Sequence, residues 1–117
     1  MAAGESLFGI HGTALALRSQ RLSLLASNIA NAATPGYKAR DINFSEAMER
    51  VSAGSSTRDA AEESVAYRIP TSASLDGNTV ELSTEQTLFA ENALQYRSTL
   101  AFIEGRVSTI KRALKGE

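Results

Sequence analysis

Three groups of side chains in this chain are of types that do chemistry: the single histidine His11, the adjacent carboxylates Glu62 and Glu63, and Tyr37 beside Lys38 and Arg40. A general base needs a partner that orients it and sets its pKa. His11 lies on a helical stripe with no acidic or thiol partner at catalytic spacing, so it reads as a packing or contact residue. Glu62 and Glu63 fall in a small, polar segment where neighbouring carboxylates solvate the chain. Tyr37 with two cations is too small a platform for nucleic-acid stacking, which uses several aromatics along a basic groove; it reads as the anchor of a corner. There is no glycine loop to cradle phosphate, no HExxH and no cluster with metal-ligand spacing. The expectation is a protein without catalytic residues, cofactor, metal or small-molecule substrate, acting through its shape and surfaces.

The bulk properties agree with that expectation. With 117 residues the chain makes one structural unit with a limited core. Its formal charge of −1 gives no footprint for nucleic acid. That balance hides a split. Residues 1–40 carry Arg18, Arg21, Lys38 and Arg40 against Glu5, whereas residues 41–81 carry eight acidic residues against three arginines. Opposite-sign faces of this kind can draw identical copies together, with the basic N-terminal group meeting the acidic middle of a neighbour. Cysteine is absent, so no disulfide or thiolate site exists. No apolar run reaches the roughly 18 residues of a membrane span. The N-terminus lacks the basic and apolar regions of a cleavable signal peptide, so the expectation is synthesis in the cytoplasm without such a signal.

The elements that position these groups divide the chain into an N-terminal helix (1–33), a corner with a short helix (34–51), a flexible and partly extended middle (52–81) and a C-terminal helix (82–117). In the first, Phe8, Leu15, Leu22 and Ile29 recur every seven residues with Leu25 and Ala32 on partner positions, and Ala14, Leu17 and Leu24 form a second apolar line. Helical periodicity stops at Thr34-Pro35-Gly36-Tyr37. Pro35 fixes φ near −65° without an N–H, and Gly36 can take the positive φ of a type II turn. Asn28 and Asn31 precede it, poor helix formers that hydrogen-bond well to nearby or facing backbone. Asn43 and Glu46 can cap a short helix through Met48, with Phe44 as its apolar anchor. Residues 52–64 read as a flexible loop, Val65 to Ile69 as a short extended piece, and Asp76-Gly77-Asn78 as a turn.

The last segment has the cleanest pattern. Leu82, Phe89, Ala93, Tyr96, Leu100, Ile103, Val107, Ile110 and Leu114 form a heptad stripe, interrupted only by Gln86, with Ser83 and Gln86 as a capping box. From Ser83 to Leu114 such a helix is about 48 Å long at 1.5 Å per residue. Gly105 interrupts it and suggests either close approach by a neighbour or a tolerated break in the pattern. The fold class is therefore all-α, with long N- and C-terminal helices packing as an antiparallel, coiled-coil-like pair. Apolar stripe left over, the Ala14/Leu17/Leu24 line included, is expected to meet other chains.

Residues 27–44, SNIANAATPGYKARDINF, resemble the N-terminal signature of bacterial flagellar rod and hook axial proteins, in which an Asn-rich helix end precedes Thr-Pro-Gly-Tyr. Residues 74–97, SLDGNTVELSTEQTLFAENALQYR, resemble the proximal rod members of that superfamily, as does the Ala-Arg-Asp-x-x-Phe extension from Ala39 to Phe44. Residues 52–72 depart from the resemblance by being short and plain. It implies a structural subunit of the proximal rod of the basal body, exported through the flagellar type III apparatus and polymerising through its terminal helices in the periplasm near the inner membrane. The implied partners are other copies of the chain, other proximal rod proteins, the rod-to-ring adaptor and the export gate, which Phe44 and Met48 would meet. The alternative is a cytosolic coiled-coil adaptor or export chaperone, for which the Thr34–Tyr37 corner has no evident use.

Overall fold

A computed structural model describes residues 8–116 of the chain. Its elements run α1 (Ile10–Ala30), β1 (Arg40–Ile42), α2 (Phe44–Ser52), α3 (Thr57–Glu63), β2 (Val65–Tyr67) and α4 (Leu82–Lys115). The molecule is elongated, 64 × 27 × 18 Å, because α4 alone has 34 residues and extends about 51 Å.

α1 and α4 pack antiparallel, as the two heptad patterns imply. Moving forward on α1 from His11 to Arg18 to Asn28 moves back on α4 from Phe102 to Gln95 to Glu85. The His11 and Phe102 rings lie 4.2 Å apart, so the lone histidine is a packing residue. The seam differs in detail from the apolar stripe. Its most deeply buried α4 residues are Glu85 and Asn92, both 0% exposed, whereas Phe89, Ala93, Tyr96, Leu100 and Ile103 are half-buried. Gln86, the polar position in the stripe, is exposed.

The middle segment is ordered and covers α1. Asn43 caps α2 as expected, its Oδ1 accepting the Glu46 N–H at 3.1 Å, but α2 runs on to Ser52 rather than ending at Met48. The segment read as a flexible loop contains α3, which starts where Ser56 Oγ accepts the Asp59 N–H at 3.1 Å. Alanines explain that helix: Ala60 and Ala61 are good helix formers and small enough to lie flush against the core. β2 pairs antiparallel with β1 in the register Arg40 with Tyr67, Asp41 with Ala66 and Ile42 with Val65. Flanking bonds from Asn43 N–H to Ser64 O and Arg68 N–H to Ala39 O extend the ladder.

The core lies between α1 and this middle, with Leu17, Ile42, Ala47 and Ala61 at its centre and Leu24, Phe44, Met48 and Val65 packed around it. Ala14 and Leu17 of the second apolar line therefore face their own chain, Leu17 with no exposed area, while Leu24 is half-buried at the edge of an open cleft. A heptad count ranks seams by period alone. Period alone does not show that the small and polar residues 52–67 fold into α3 and β2 and cover the broader face of α1.

One further expectation fails locally. α4 begins two residues earlier than the Ser83 capping box requires; its N-cap is Glu81, without a side-chain cap bond, and the Ser83 carbonyl accepts from Thr87 Oγ1 instead. Gly105 has open space where a Cβ would stand, so no described part of the chain approaches it.

Candidate functional site

The corner at the end of α1 is built from two distant stretches of sequence. Tyr37 N–H donates to Thr34 O at 3.2 Å and Gly36 has φ 75°, the closure and the positive φ of a type II turn. Asn31 Nδ2 donates to Ser27 O and its Oδ1 accepts from Thr34 Oγ1, tying the helix end to the turn. The Asn31 and Ala32 N–H groups close the last turn of α1 on the carbonyls of Ser27, Asn28 and Ile29, and the carbonyls that follow the helix are met from outside: Asn78 Nδ2 lies 2.9, 3.1 and 2.7 Å from those of Asn31, Ala32 and Thr34. The chain leaving a helix carries carbonyls that no ladder serves, and one buried amide gathers three of them here. Gly36 N–H donates to Asp76 O, Thr79 N–H to Tyr37 O, and Ala39 N–H to Thr79 Oγ1. The Thr34–Tyr37 corner and the Asp76–Thr79 turn thus form one knot, with Gly36 Cα 3.7 Å from where a Cβ on Gly77 would sit.

No heavy atom lies within 4 Å of the position a Cβ on Gly36 would take, so the glycine is needed for backbone geometry alone. Gly36→Val is expected to cost about 1–3 kcal/mol, whereas Gly36→Asn, which tolerates positive φ, should recover most of it. Thermal unfolding of the two variants decides this; equal midpoints would show that φ is not what selects glycine.

Behind the knot lies a buried network. Asn28, 0% exposed, donates through Nδ2 to Arg40 O at 2.7 Å and to Glu85 Oε2 at 3.0 Å, while its Oδ1 accepts the Arg40 N–H at 3.1 Å and Tyr37 Oη at 3.4 Å. Tyr37 Oη also sits 3.1 Å from Ser27 Oγ, so the ring is the anchor of the corner. Glu85 is paired with Arg68 Nε at 3.0 Å, Arg68 Nη2 reaches Asp41 at 3.1 Å, and Arg21 grips Asp41 with two bonds of 2.8 Å. Two carboxylates and two guanidinium groups from α1, β1, the strand-end of β2 and α4 thus alternate in charge, which is what makes their burial tolerable.

Burial opposes ionisation of Asp41, but the hydrogen bonds and charge of Arg21, the Ile42 N–H and Arg68 outweigh it and hold its pKa below the ordinary value. Burial likewise opposes the Arg68 charge, and Glu85 and Asp41 more than offset it, raising the Arg68 pKa. Because the folded Asp41 pKa is depressed, its stabilisation is fully present above the unfolded value of about 3.9 and is lost as pH falls through the folded value. Acid titration of helix content should therefore show a stability loss below about pH 4 that Asp41→Asn removes; an unchanged acid limb in that variant would contradict the assignment.

The other residues singled out from the sequence divide by location. Leu25 is fully buried, and Leu15, Leu22 and Ile29 are half-buried along α1. Val107 and Ile110 are half-buried near the end of α4, and Leu114 is 83% exposed. α4 continues past the level of Phe8, where the described part of the chain begins. Phe44 lies beneath the Arg18 guanidinium, 4.2 Å from ring centroid to Cζ, and Met48 packs on the core. Three of the four N-terminal cations are engaged inside the chain: Arg21 pairs with Asp41, Arg18 Nη1 donates to Gln95 at 2.7 Å and Lys38 Nζ to Gly77 O, while Arg40 is exposed. Burial and the neighbouring Arg21 lower the Arg18 pKa.

Sequence reasoning missed Asp41, Arg68, Glu85 and Asn92. The signal was a row at seven-residue spacing, Glu85, Asn92 and Thr99, beside the apolar stripe; Asn92 Nδ2 donates to Arg18 O at 2.8 Å. Among the described residues there is no cluster of metal-ligating side chains and no helix long and apolar enough to cross a membrane.

A family described as flagella basal body rod protein matches residues 8–38, which are α1 and the corner. The flagellar basal body rod protein FlgB of Cereibacter sphaeroides is 48% identical over 93% of this chain and 94% of its own length. Those of Aeromonas hydrophila and Escherichia coli are 44% and 40% identical, over 97% and 87% of this chain and 96% and 88% of theirs. These matches reach across the corner, the network and α4 together. The chain belongs to the FlgB family of flagellar basal body rod proteins.

Proposed function

We propose that the chain is a structural subunit of the proximal rod, exported by the flagellar type III apparatus and polymerising in the periplasm, close to the inner membrane, through its terminal helices. The observation that carries this reading is the division of labour along the α1–α4 pair. Near the corner the pair is locked by the Asn78 knot and the Glu85 network, so its geometry is set within one chain. Toward the other end, Leu114 at 83% exposure and the open side of Phe102, which stacks on His11 yet is 47% exposed, leave apolar area that the described fold does not cover. A rigid rod segment with an unsatisfied end is what side-by-side packing into a tube requires, since contacts that do not close on themselves give filaments.

Other copies, other proximal rod proteins and the rod-to-ring adaptor are the partners in this reading. Export fits the absence of disulfides, which leaves nothing covalent to undo before threading. Phe44 and Met48 are packed on the core in the folded chain, so a contact between them and the export gate belongs to the unfolded chain before assembly.

Electron microscopy of envelope-extracted basal bodies tests the proposal, comparing a strain lacking this chain with the same strain re-expressing it. Rods should be missing in the first and restored in the second. Complete rods in the deletion strain would overturn it and leave a cytosolic adaptor as the working reading.

A further inference from the structure

The last turns of α4 form a basic amphipathic surface. Residues 106–115 hold Arg106, Lys111, Arg112 and Lys115 and no acidic residue. Among the described residues none of these four cations pairs with a carboxylate. Val107, Ile110 and Leu114 supply the apolar side of the same turns.

A complementary surface lies elsewhere on the molecule. Between α1, β1, α3 and β2 is an open cleft of about 320 Å³. Leu24, Ile42, Ala61 and Val65 provide its apolar lining, with Glu62 and Arg40 as its charged groups. Asp59 lies three residues before Glu62 on α3, Glu62 has only the exposed partner Arg58, at 3.3 Å, and Glu63 is taken by Arg50 of α2 at 2.8 Å. An exposed i,i+4 pair of this kind contributes little and exchanges easily.

The end of α4 cannot fill this cleft within its own chain. Leu24 lies between the levels of Arg18 and Asn28, which face Gln95 and Glu85; α4 is continuous from there, and Ile110 lies more than about 20 Å further along it at 1.5 Å per residue.

We propose that the basic end of α4 of one copy docks into the α1/α3/β-ribbon cleft of a second copy. Ile110 and Leu114 meet the apolar lining, and Lys111 and Arg112 face Asp59 and Glu62, turned away from Arg40. Surface and cleft sit at different places on one molecule, so the contact is head-to-tail and repeats without closing. This rests on the rod-subunit reading and names the contact by which copies join. An anionic membrane surface is the weaker occupant for residues 106–115, because no aromatic residue follows Phe102 to anchor them at an interface.

The cysteine-free chain makes the test clean. Full-length chains carrying Ile110→Cys and Ser23→Cys, the latter in the cleft wall, are co-expressed, and basal bodies are oxidised after extraction. The expected result is a mixed disulfide dimer, absent when Ser23→Cys is replaced by Leu75→Cys in an exposed loop. Adding Lys111→Glu and Arg112→Glu to the Ile110→Cys chain should lower the yield about tenfold, and Asp59→Lys with Glu62→Lys in the partner chain should restore it. Rods that form without the 110–23 adduct, or a reversal that the partner changes do not rescue, overturn the docking while leaving the rod reading intact. Salt-sensitive binding of the purified chain to phosphatidylglycerol vesicles, lost on Lys111→Glu/Arg112→Glu and unaccompanied by the adduct, would assign the surface to a membrane and also overturn it. Should the deletion strain keep complete rods, the rod reading fails by its own experiment, and the adduct in the purified chain still decides the docking.

Discussion

Glu85→Ala is expected to cost about 3–5 kcal/mol, a large part of the roughly 5–15 kcal/mol that holds a domain of this kind folded. Glu85 is fully buried and takes two bonds from Arg68 and one from Asn28. Without it, Arg68 keeps only Asp41, already held by Arg21 through two bonds, and three charges remain where four had balanced. Urea unfolding followed by helix content should show the loss, with Glu91→Ala on the exposed side of α4 as the control, within about 0.5 kcal/mol of the parent. The sharper test is the pair Arg68→Met with Glu85→Leu. It removes cation and anion together, leaves Asp41 bonded to Arg21 and fills the space with apolar atoms, so it should recover most of the stability. If the pair is as damaging as Glu85→Ala, packing around α4 and not an unpaired charge explains the cost.

The same network shows where sequence reading ends. Period and punctuation suffice for the two long helices, their antiparallel pairing, the cap at Asn43 and the positive φ of Gly36, because each depends on residues a few positions apart. The knot does not. Nothing local to Asn78 says that its amide lies beneath the carbonyls of Asn31, Ala32 and Thr34; only the folded chain brings them together. That the two stretches carrying the family resemblance are the two halves of this knot explains in physical terms why they occur together in one chain.

A second kind of error came from treating burial as an apolar property. A heptad search looks for Leu and Phe, and so assigned Gln86 to the stripe, although the interior of the seam is held by Glu85 and Asn92. The error on residues 52–64 is related. Alanines at 60 and 61 carry little hydrophobic signal, yet they are the residues that let α3 lie against Leu17 and Ile42. Once α3 is in place, Ala14 and Leu17 are covered, Leu24 is left at the edge of the cleft, and most of the surface left over shifts from α1 to the far end of α4.

Asn28→Asp is expected to be more damaging than Asn28→Ala, although it preserves shape almost atom for atom. The alanine variant leaves the Arg40 N–H and carbonyl without their partner and takes one of two bonds from Glu85 Oε2, which keeps Arg68 Nη2; at about 1–3 kcal/mol for each buried unsatisfied group this suggests a loss of several kcal/mol before relaxation and water entry. The aspartate keeps the acceptor for the Arg40 N–H but loses both donors. It also places a carboxylate where Nδ2 now stands, 3.0 Å from Glu85 Oε2. Two like charges at that distance repel by on the order of 5 kcal/mol at an effective dielectric near 20, so the site responds by holding a proton. A group whose folded pKa is raised regains its stability as pH falls, opposite in sign to Asp41 in the parent chain. Unfolding midpoints measured across the mildly acidic range should therefore rise for Asn28→Asp as the pH is lowered toward 5 while Asn28→Ala stays flat. Parallel pH profiles for the two variants would mean that Asn28 does not face Glu85 in the folded chain, and the link between the corner and α4 would have to be sought elsewhere.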